Sequence, residues 1–323
     1  MHLQGQWAKC RESTSGKLVF VIGTGRCGST LIQELLAHHP DVGFLSNLED
    51  RIPGVSGGTS RVTNMLYRRL PPSVTRMGQI RYGPSEGYRA LAREVSPMIT
   101  NSCRDLQADD AMPWVTERFR TFFCERARAQ GRPVFLHKFT GWPRTGFIHQ
   151  IFPDARFIHI VRDGRAVAAS ALRMPWWMGH MGPEVWHWGP LPPAYAAEWE
   201  ASGRSFAVLA ALAWKILMDE FAAARQLVPG DQWLDIRFED VLADPEPRLK
   251  EMLGFMGLDE HRSVDAALAR AGIVPDRQRY RHELGSAALA QVEKSLAEHL
   301  DAWGYEVPLG SRTGGPGPRV RRS

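Results

Sequence analysis

No stretch of this sequence approaches the roughly 18 uninterrupted apolar residues of a membrane span. The longest candidate, Phe206 to Met218, is broken by Lys215. The first residues lack the apolar core of a secretory leader, so a cytoplasmic protein is expected. Cysteine is scarce: Cys10, Cys27, Cys103 and Cys124 show no CxxC spacing and are too few for a disulfide framework in a chain of 323 residues. Histidine is present, but no HExxH pair occurs, and no metal is expected. No internal repeat is found. A concentrated basic face is missing too: of a formal charge of +5, part belongs to Arg312, Arg319, Arg321 and Arg322 near the end of the chain. The remainder is only mildly basic, which suits a small polyanion better than nucleic acid.

The chain has 44% hydrophobic and 23% charged residues, an ordinary globular balance compatible with one large α/β core. The expected organisation is a flexible N-terminus over residues 1–16, a single domain over 17–308 and a disordered basic tail over 309–323. Leu18 to Ile22 form a short continuous apolar run ending in glycine, the pattern of a buried parallel strand. Leu31, Ile32, Leu35 and Leu36 then recur at helical spacing until Pro40. Further strands are expected at Val42 to Leu45, Pro133 to Leu136, Arg156 to Val161 and Trp233 to Phe238. Helices are expected from about Val167 to Leu172, Phe206 to Leu227, Pro245 to Met256 and Ala287 to Trp303. Alternation of this kind argues for a mostly parallel sheet flanked by helices.

Between the first strand and helix lies Gly23-Thr24-Gly25-Arg26-Cys27-Gly28-Ser29-Thr30. A helix that starts just after a glycine turn offers unpaired amides and the positive end of its dipole to an anion. The glycines allow close backbone approach, Ser29 and Thr30 add hydroxyls, and Arg26 adds a permanent charge. A Walker A loop would carry lysine where Ser29 stands, which counts against ATP or GTP. The pattern GxGxxG is met by Gly23, Gly25 and Gly28, with Glu49 or Asp50 about 20 residues on, so a dinucleotide-dependent oxidoreductase stays open. A non-catalytic nucleotide-binding protein is a third possibility. A second anion site is expected where the Arg156 to Val161 strand ends: Arg162, then Asp163 placed to cap the next helix, and Ser170 nearly two turns further on.

These two segments in this order resemble the sulfotransferases that use 3′-phosphoadenosine-5′-phosphosulfate. The loop Gly25-Arg26-Cys27-Gly28-Ser29-Thr30 is similar to their 5′-phosphosulfate loop, and Phe157 to Ser170, with Arg162 and Ser170, to their 3′-phosphate segment. Lys138 to Pro143 and Arg237-Phe238-Glu239-Asp240 extend the similarity more loosely. The resemblance implies a P-loop three-layer α/β fold and sulfuryl transfer by in-line displacement to a hydroxyl or amine of a small-molecule, glycan or lipid acceptor. It implies no nucleic-acid partner and no Mg2+.

In such a reaction the protein aligns the reactants and neutralises charge on the leaving phosphate, work for Arg26 and the loop amides. The acceptor needs a base. Carbohydrate and tyrosylprotein sulfotransferases place a glutamate in the region of Glu49, which is therefore the expected base, with Asp50 as its neighbour. Aryl and steroid sulfotransferases use a Lys-Thr-His motif on the third strand. Here His137-Lys138-Phe139-Thr140 keeps the lysine, and Lys138 is expected to bind the leaving or transferred group, with His137 as the fallback base. The segment 175–199, holding Trp176, Trp177, Trp186, Trp188 and Trp199, fits an acceptor pocket or lid as well as it fits core packing. Arg277, Arg279 and Arg281 form a late basic run that would close over the 3′-phosphate.

Overall fold

Alternate residues of the first strand feed two different cores. In the computed structural model, which describes residues 16–54, 57–70, 82–274 and 278–307, strand β1 spans Lys17–Gly23. Leu18, Phe20 and Ile22 enter one apolar cluster, and Val19 and Val21 enter another on the opposite face. The two-residue period of a strand makes this division unavoidable, and it explains why the run has no polar face. The expectations for residues 1–15, for 309–323 and for Arg277 lie outside the described residues.

The other strands are β2 (Val42–Phe44), β3 (Val134–Thr140), β4 (Arg156–Val161) and β5 (Trp233–Arg237). They lie in the order β2-β3-β1-β4-β5, and every pairing is parallel. Thus β1 lies between β3 and β4. The dinucleotide-binding order instead puts the second strand beside the first.

Helix α1 (Ser29–Leu36) follows β1, and α2 (Asn47–Arg51), α3 (Gly57–Arg69), α4 (Tyr88–Glu94) and α5 (Pro113–Gln130) lie between β2 and β3. Helix α6 (Thr145–Ile151) leads to β4, then α7 (Gly164–Leu172), α8 (Pro193–Ala201) and α9 (Phe206–Arg225) lead to β5. The chain continues through α10 (Phe238–Ala243), α11 (Pro245–Met256), α12 (Arg262–Ala271) and α13 (Tyr280–Ala302). Side chains of α1, α10, α11 and α12 cover the Val19 face. Those of α4, α5, α6, α7, α9 and α13 cover the Phe20 face. Helix, sheet and helix layers result, the P-loop α/β arrangement expected from the sequence.

Phe20 is fully buried, with its ring centroid 5.5 Å from that of Phe123, 6.0 Å from Phe139 and 5.9 Å from Phe157. Burying one such ring contributes roughly 1.5–3 kcal/mol. Helix α5, which no sequence pattern announced, supplies Phe119, Phe122 and Phe123 to this cluster. It starts on Pro113 and ends at Gly131, whose φ of 58° is the left-handed geometry that stops a helix. The last helix begins seven residues before its expected start, at Tyr280 rather than Ala287, with a break at Gly285 (φ 71°).

Candidate functional site

The turn from β1 to α1 is held open by backbone geometry that most residues avoid. Gly25, Arg26 and Gly28 have φ values of 45°, 61° and 93°. For Arg26 this left-handed conformation costs on the order of 1 kcal/mol, and the surroundings hold it there. Its Nε donates to Ser170 Oγ at 2.8 Å, and its carbonyl accepts from Arg162 Nη1 at 3.0 Å. The two expected anion sites are therefore one assembly: Arg26 from the loop, Arg162 from the end of β4, Ser170 from α7.

Two glycines of the loop do different work. A Cβ on Gly25 would meet nothing within 4 Å, so the loop is concave and open there. A Cβ on Gly28 would lie 2.2 Å from the Phe238 ring, so that position admits no side chain. Phe238 also carries the Arg162 guanidinium at 5.3 Å from its ring centroid, a cation–π contact. Gly28 gives α1 no side-chain cap, whereas Asp163 caps α7 by accepting from Arg165 N at 2.9 Å. The uncapped helix end is thus the one facing the loop. Asp163 N in turn donates to Glu239 Oε1 at 3.0 Å, so the Arg237 to Asp240 segment braces the turn after β4.

The electrostatics at the loop are dominated by cations. Burial lowers the Arg26 pKa, and the nearby cations Arg162 and Arg173 lower it further. Arg173, the C-cap residue of α7 three positions beyond Ser170, was missed from sequence, although i, i+3 spacing would have found it. Arg173 is itself paired with Glu283 Oε1 at 2.7 Å, so the repulsion that bears most on Arg26 comes from Arg162 at the loop. These residues fit the nucleotide that the resemblance implies.

Beside the loop, β3 sends alternate residues to opposite faces. Lys138 Nζ donates to Thr30 Oγ1 at 2.7 Å and pairs with Glu86 Oε1 at 2.9 Å. Thr140, on the same face as Lys138, donates through Oγ1 to Glu86 Oε2 at 3.3 Å. Tyr88 Oη accepts from Thr140 N and donates to its carbonyl, both at 3.1 Å. Gly141 N donates to Gly23 O at 3.0 Å, fixing this strand end against the start of the loop. Glu86 and Tyr88 were not anticipated, since they lie in an aperiodic stretch with no motif.

The opposite face of β3 carries His137. Its ring is 1% exposed and packs edge-on against Phe20, Phe123 and Phe139. Burial, with Lys138 and Arg126 nearby, lowers its pKa to about 3. The fallback base is therefore a neutral core ring. Glu49 is also buried: its Oε2 accepts from Ser46 N and Ser46 Oγ, both at 2.9 Å, and its Oε1 accepts from Ser60 Oγ at 2.6 Å. It closes the capping box of α2, with Arg126 Nε 3.8 Å away. Asp50 Oδ1 accepts from Arg89 N and Ala90 N, both at 2.9 Å, at the start of α4. Neither lies where a dinucleotide fold needs its ribose acid, and the oxidoreductase reading is not favoured.

The tryptophan segment divides its roles. Trp177 and Trp186 are 7% exposed and belong to the core, while Trp176 is 43% exposed. Trp188 packs on Trp142 with centroids 5.7 Å apart and lies against Gly141, at the same strand end as Thr140. Of the late basic run, Arg281 donates through Nε to Gln278 Oε1 at 2.6 Å, and Arg279 precedes α13. A cleft of about 580 Å³ lies there, lined by Asp163, Arg165, Gln278, Tyr280, Arg281 and Tyr305 among others. Among the described residues no group of three or more His, Cys, Asp or Glu side chains could hold a metal, and no helix is long and apolar enough to cross a membrane.

Fold and site together define a parallel α/β protein with a glycine-rich loop after its first strand and a cluster of arginines beside it. The comparisons narrow this class. A model of the sulfotransferase family matches residues 19–262, and the chain belongs to that family. A curated relative, the omega-hydroxy-beta-dihydromenaquinone-9 sulfotransferase of Mycobacterium tuberculosis, is 26% identical over 178 residues. That alignment covers 54% of this chain and 42% of the relative, so the match spans under half the relative's length. Among solved structures, a sulfotransferase from Mycobacterium avium superposes with a TM-score of 0.56 at 19% identity, covering 95% of this chain and 82% of that one. Another, from Mycobacterium tuberculosis, gives 0.53 at 17% identity, covering 91% and 80%. These likenesses establish the shared fold.

Proposed function

We propose that the protein transfers a sulfuryl group from 3′-phosphoadenosine-5′-phosphosulfate to a hydroxyl of a small-molecule acceptor. The observation that carries this reading is the joining of Arg26, Arg162 and Ser170 into one cluster at an uncapped helix end. A nucleotide with phosphate groups at both ends of its ribose needs two anion grips a few ångströms apart, and this cluster would supply them. Gly25, Cys27, Gly28, Ser29 and Thr30 would cradle the 5′-phosphosulfate through backbone amides and hydroxyls, and Arg162 with Ser170 would take the 3′-phosphate. Arg26 lies between the two.

In the transfer step the acceptor oxygen attacks sulfur as the bond from sulfur to the bridging phosphate oxygen breaks. Negative charge collects on the leaving phosphate. Arg26 and Lys138 would neutralise it, fixed cations being effective where water is excluded. The curated relative is named for an omega-hydroxylated quinone, which supports an alcohol as the acceptor class here.

Thermal shift tests the donor. Adenosine 3′,5′-bisphosphate at about 100 times its Kd should stabilise the fold by roughly 2.7 kcal/mol, with no shift from NAD(P) or ATP. A shift with NAD(P) and none with the bisphosphate would overturn the reading.

A further inference from the structure

Several carboxylates follow the strands of the sheet or the segments packed on them, and their partners set them apart. Asp50 caps α4 by accepting from Arg89 N and Ala90 N, and Glu49 is occupied by Ser46 and Ser60. Asp163 and Glu239 brace the turn after β4, with Glu239 also accepting from Tyr305 Oη at 2.9 Å. Asp105, 3% exposed, accepts from Arg144 N at 2.6 Å. Glu86 differs: its side chain is 26% exposed, and its partners are Lys138 and Thr140, the two residues of β3 that face the loop.

We propose that Glu86 is the general base of the transfer, taking the proton from the acceptor hydroxyl. The inference rests on the sulfuryl-transfer reading. Lys138 bridges Glu86 to Thr30, a hydroxyl of the loop itself. With donor bound, the Lys138 ammonium turns to the oxygens of the transferring group, and Glu86 loses its strongest partner at the moment a base is needed. The acceptor oxygen then forms its bond to sulfur, and its proton passes to the Glu86 carboxylate. The bond to the leaving phosphate breaks, and adenosine 3′,5′-bisphosphate departs with that electron pair. Protonated Glu86 returns its proton to solvent, for which its exposure is sufficient. Burial raises the Tyr88 pKa, so its phenol stays a neutral partner that holds Thr140 in place. Tyr88 and Trp188 both lie against this strand end, which puts aromatic surface beside the carboxylate that the acceptor must reach.

The test uses the full chain with sulfur-labelled donor, and water plus a panel of primary alcohols and phenols as acceptors. Label is counted in any sulfated product and in inorganic sulfate. Glu86→Gln keeps an oxygen for Lys138 but cannot take a proton, so transfer should fall at least ~100-fold with bisphosphate affinity unchanged. Added formate should restore part of the activity of Glu86→Ala, because a free carboxylate can refill the gap. Transfer by Glu86→Gln within threefold of the unmodified protein overturns the proposal. Loss in both variants without rescue by formate overturns it as well, leaving Glu86 a positioning residue for Lys138. If the unmodified protein moves no label beyond the uncatalysed rate, the sulfuryl-transfer reading itself has failed.

Discussion

The donor side and the acceptor side proposed for this site are built from different materials. On the donor side, each group sits at a recognisable local feature of the chain: a strained loop, a helix start, and the end of the neighbouring strand β4. Its charges are guanidiniums held in place, Arg26 by Ser170 Oγ and Arg162 by the Arg26 carbonyl. On the acceptor side, the end of β3 meets an aperiodic segment that carries no motif, and the central contact is an ion pair between Lys138 and a partly exposed glutamate. The first arrangement suits a ligand whose charge is fixed. The second suits a proton that must move. Electrostatic preorganisation thus lies with the donor, and adaptability with the acceptor.

Arg162→Ala tests that division most strongly. Removing it takes away a charge-assisted contact, the partner of the Arg26 carbonyl and the cation over Phe238. A contact of that kind is worth about 1.5–3 kcal/mol, so affinity for adenosine 3′,5′-bisphosphate should fall roughly 10- to 150-fold by calorimetry. The residual transfer rate at saturating donor should change far less. A large loss of turnover with affinity intact would mean that the donor side also drives the chemistry.

Legibility follows the same line. The loop, Arg162, Ser170 and the capping Asp163 could be read from sequence because each depends on residues a few positions apart, and the structure joins them. Strands β3, β4 and β5 and helices α7, α9 and α11 were legible for the same reason, whereas α6, α8 and α12 carried no expectation. Little was readable between residues 47 and 130, where α2, α3, α4 and α5 lie. Arginines interrupt the apolar face of α5, and its Phe119 and Phe123 find their role only against Phe20 and His137. Glu86 lies in the same stretch, so no local pattern marked it. His137 and Lys138 show the limit most sharply. Neighbours in a strand face opposite ways, so only one of the pair could reach the loop, and the sequence did not say which.

Glu49→Gln sharpens the contrast between the two glutamates. An amide nitrogen cannot accept from Ser46 or Ser60, so one buried donor loses its partner. Stability should fall by about 2 kcal/mol in a denaturant titration. Turnover per folded molecule should stay within about threefold. A collapse of turnover in the folded variant would restore Glu49 as the base and remove the case for Glu86.

The smallest effect concerns the ring beneath the acceptor side. Its folded pKa of about 3 lies below the ordinary 6.5, so His137 is neutral in the fold and takes up a proton first in the unfolded chain. Its contribution is fully present above pH 6.5 and is lost as pH falls towards 3. By pH 5.5 the loss amounts to about 1.4 kcal/mol. Asp105 acts in the opposite sense, because burial raises its pKa to about 7, but it is common to both proteins when His137→Phe is compared with the unmodified chain. The difference in stability between them should therefore shift by about 1.4 kcal/mol in favour of the variant between pH 7.5 and pH 5.5, measured by thermal unfolding at each pH. Unchanged transfer in His137→Phe at pH 7.5 would place the ring in the core alone. A pH-independent difference would mean that the ring gains a proton in the fold, and that the boundary between core and acceptor side lies deeper than β3.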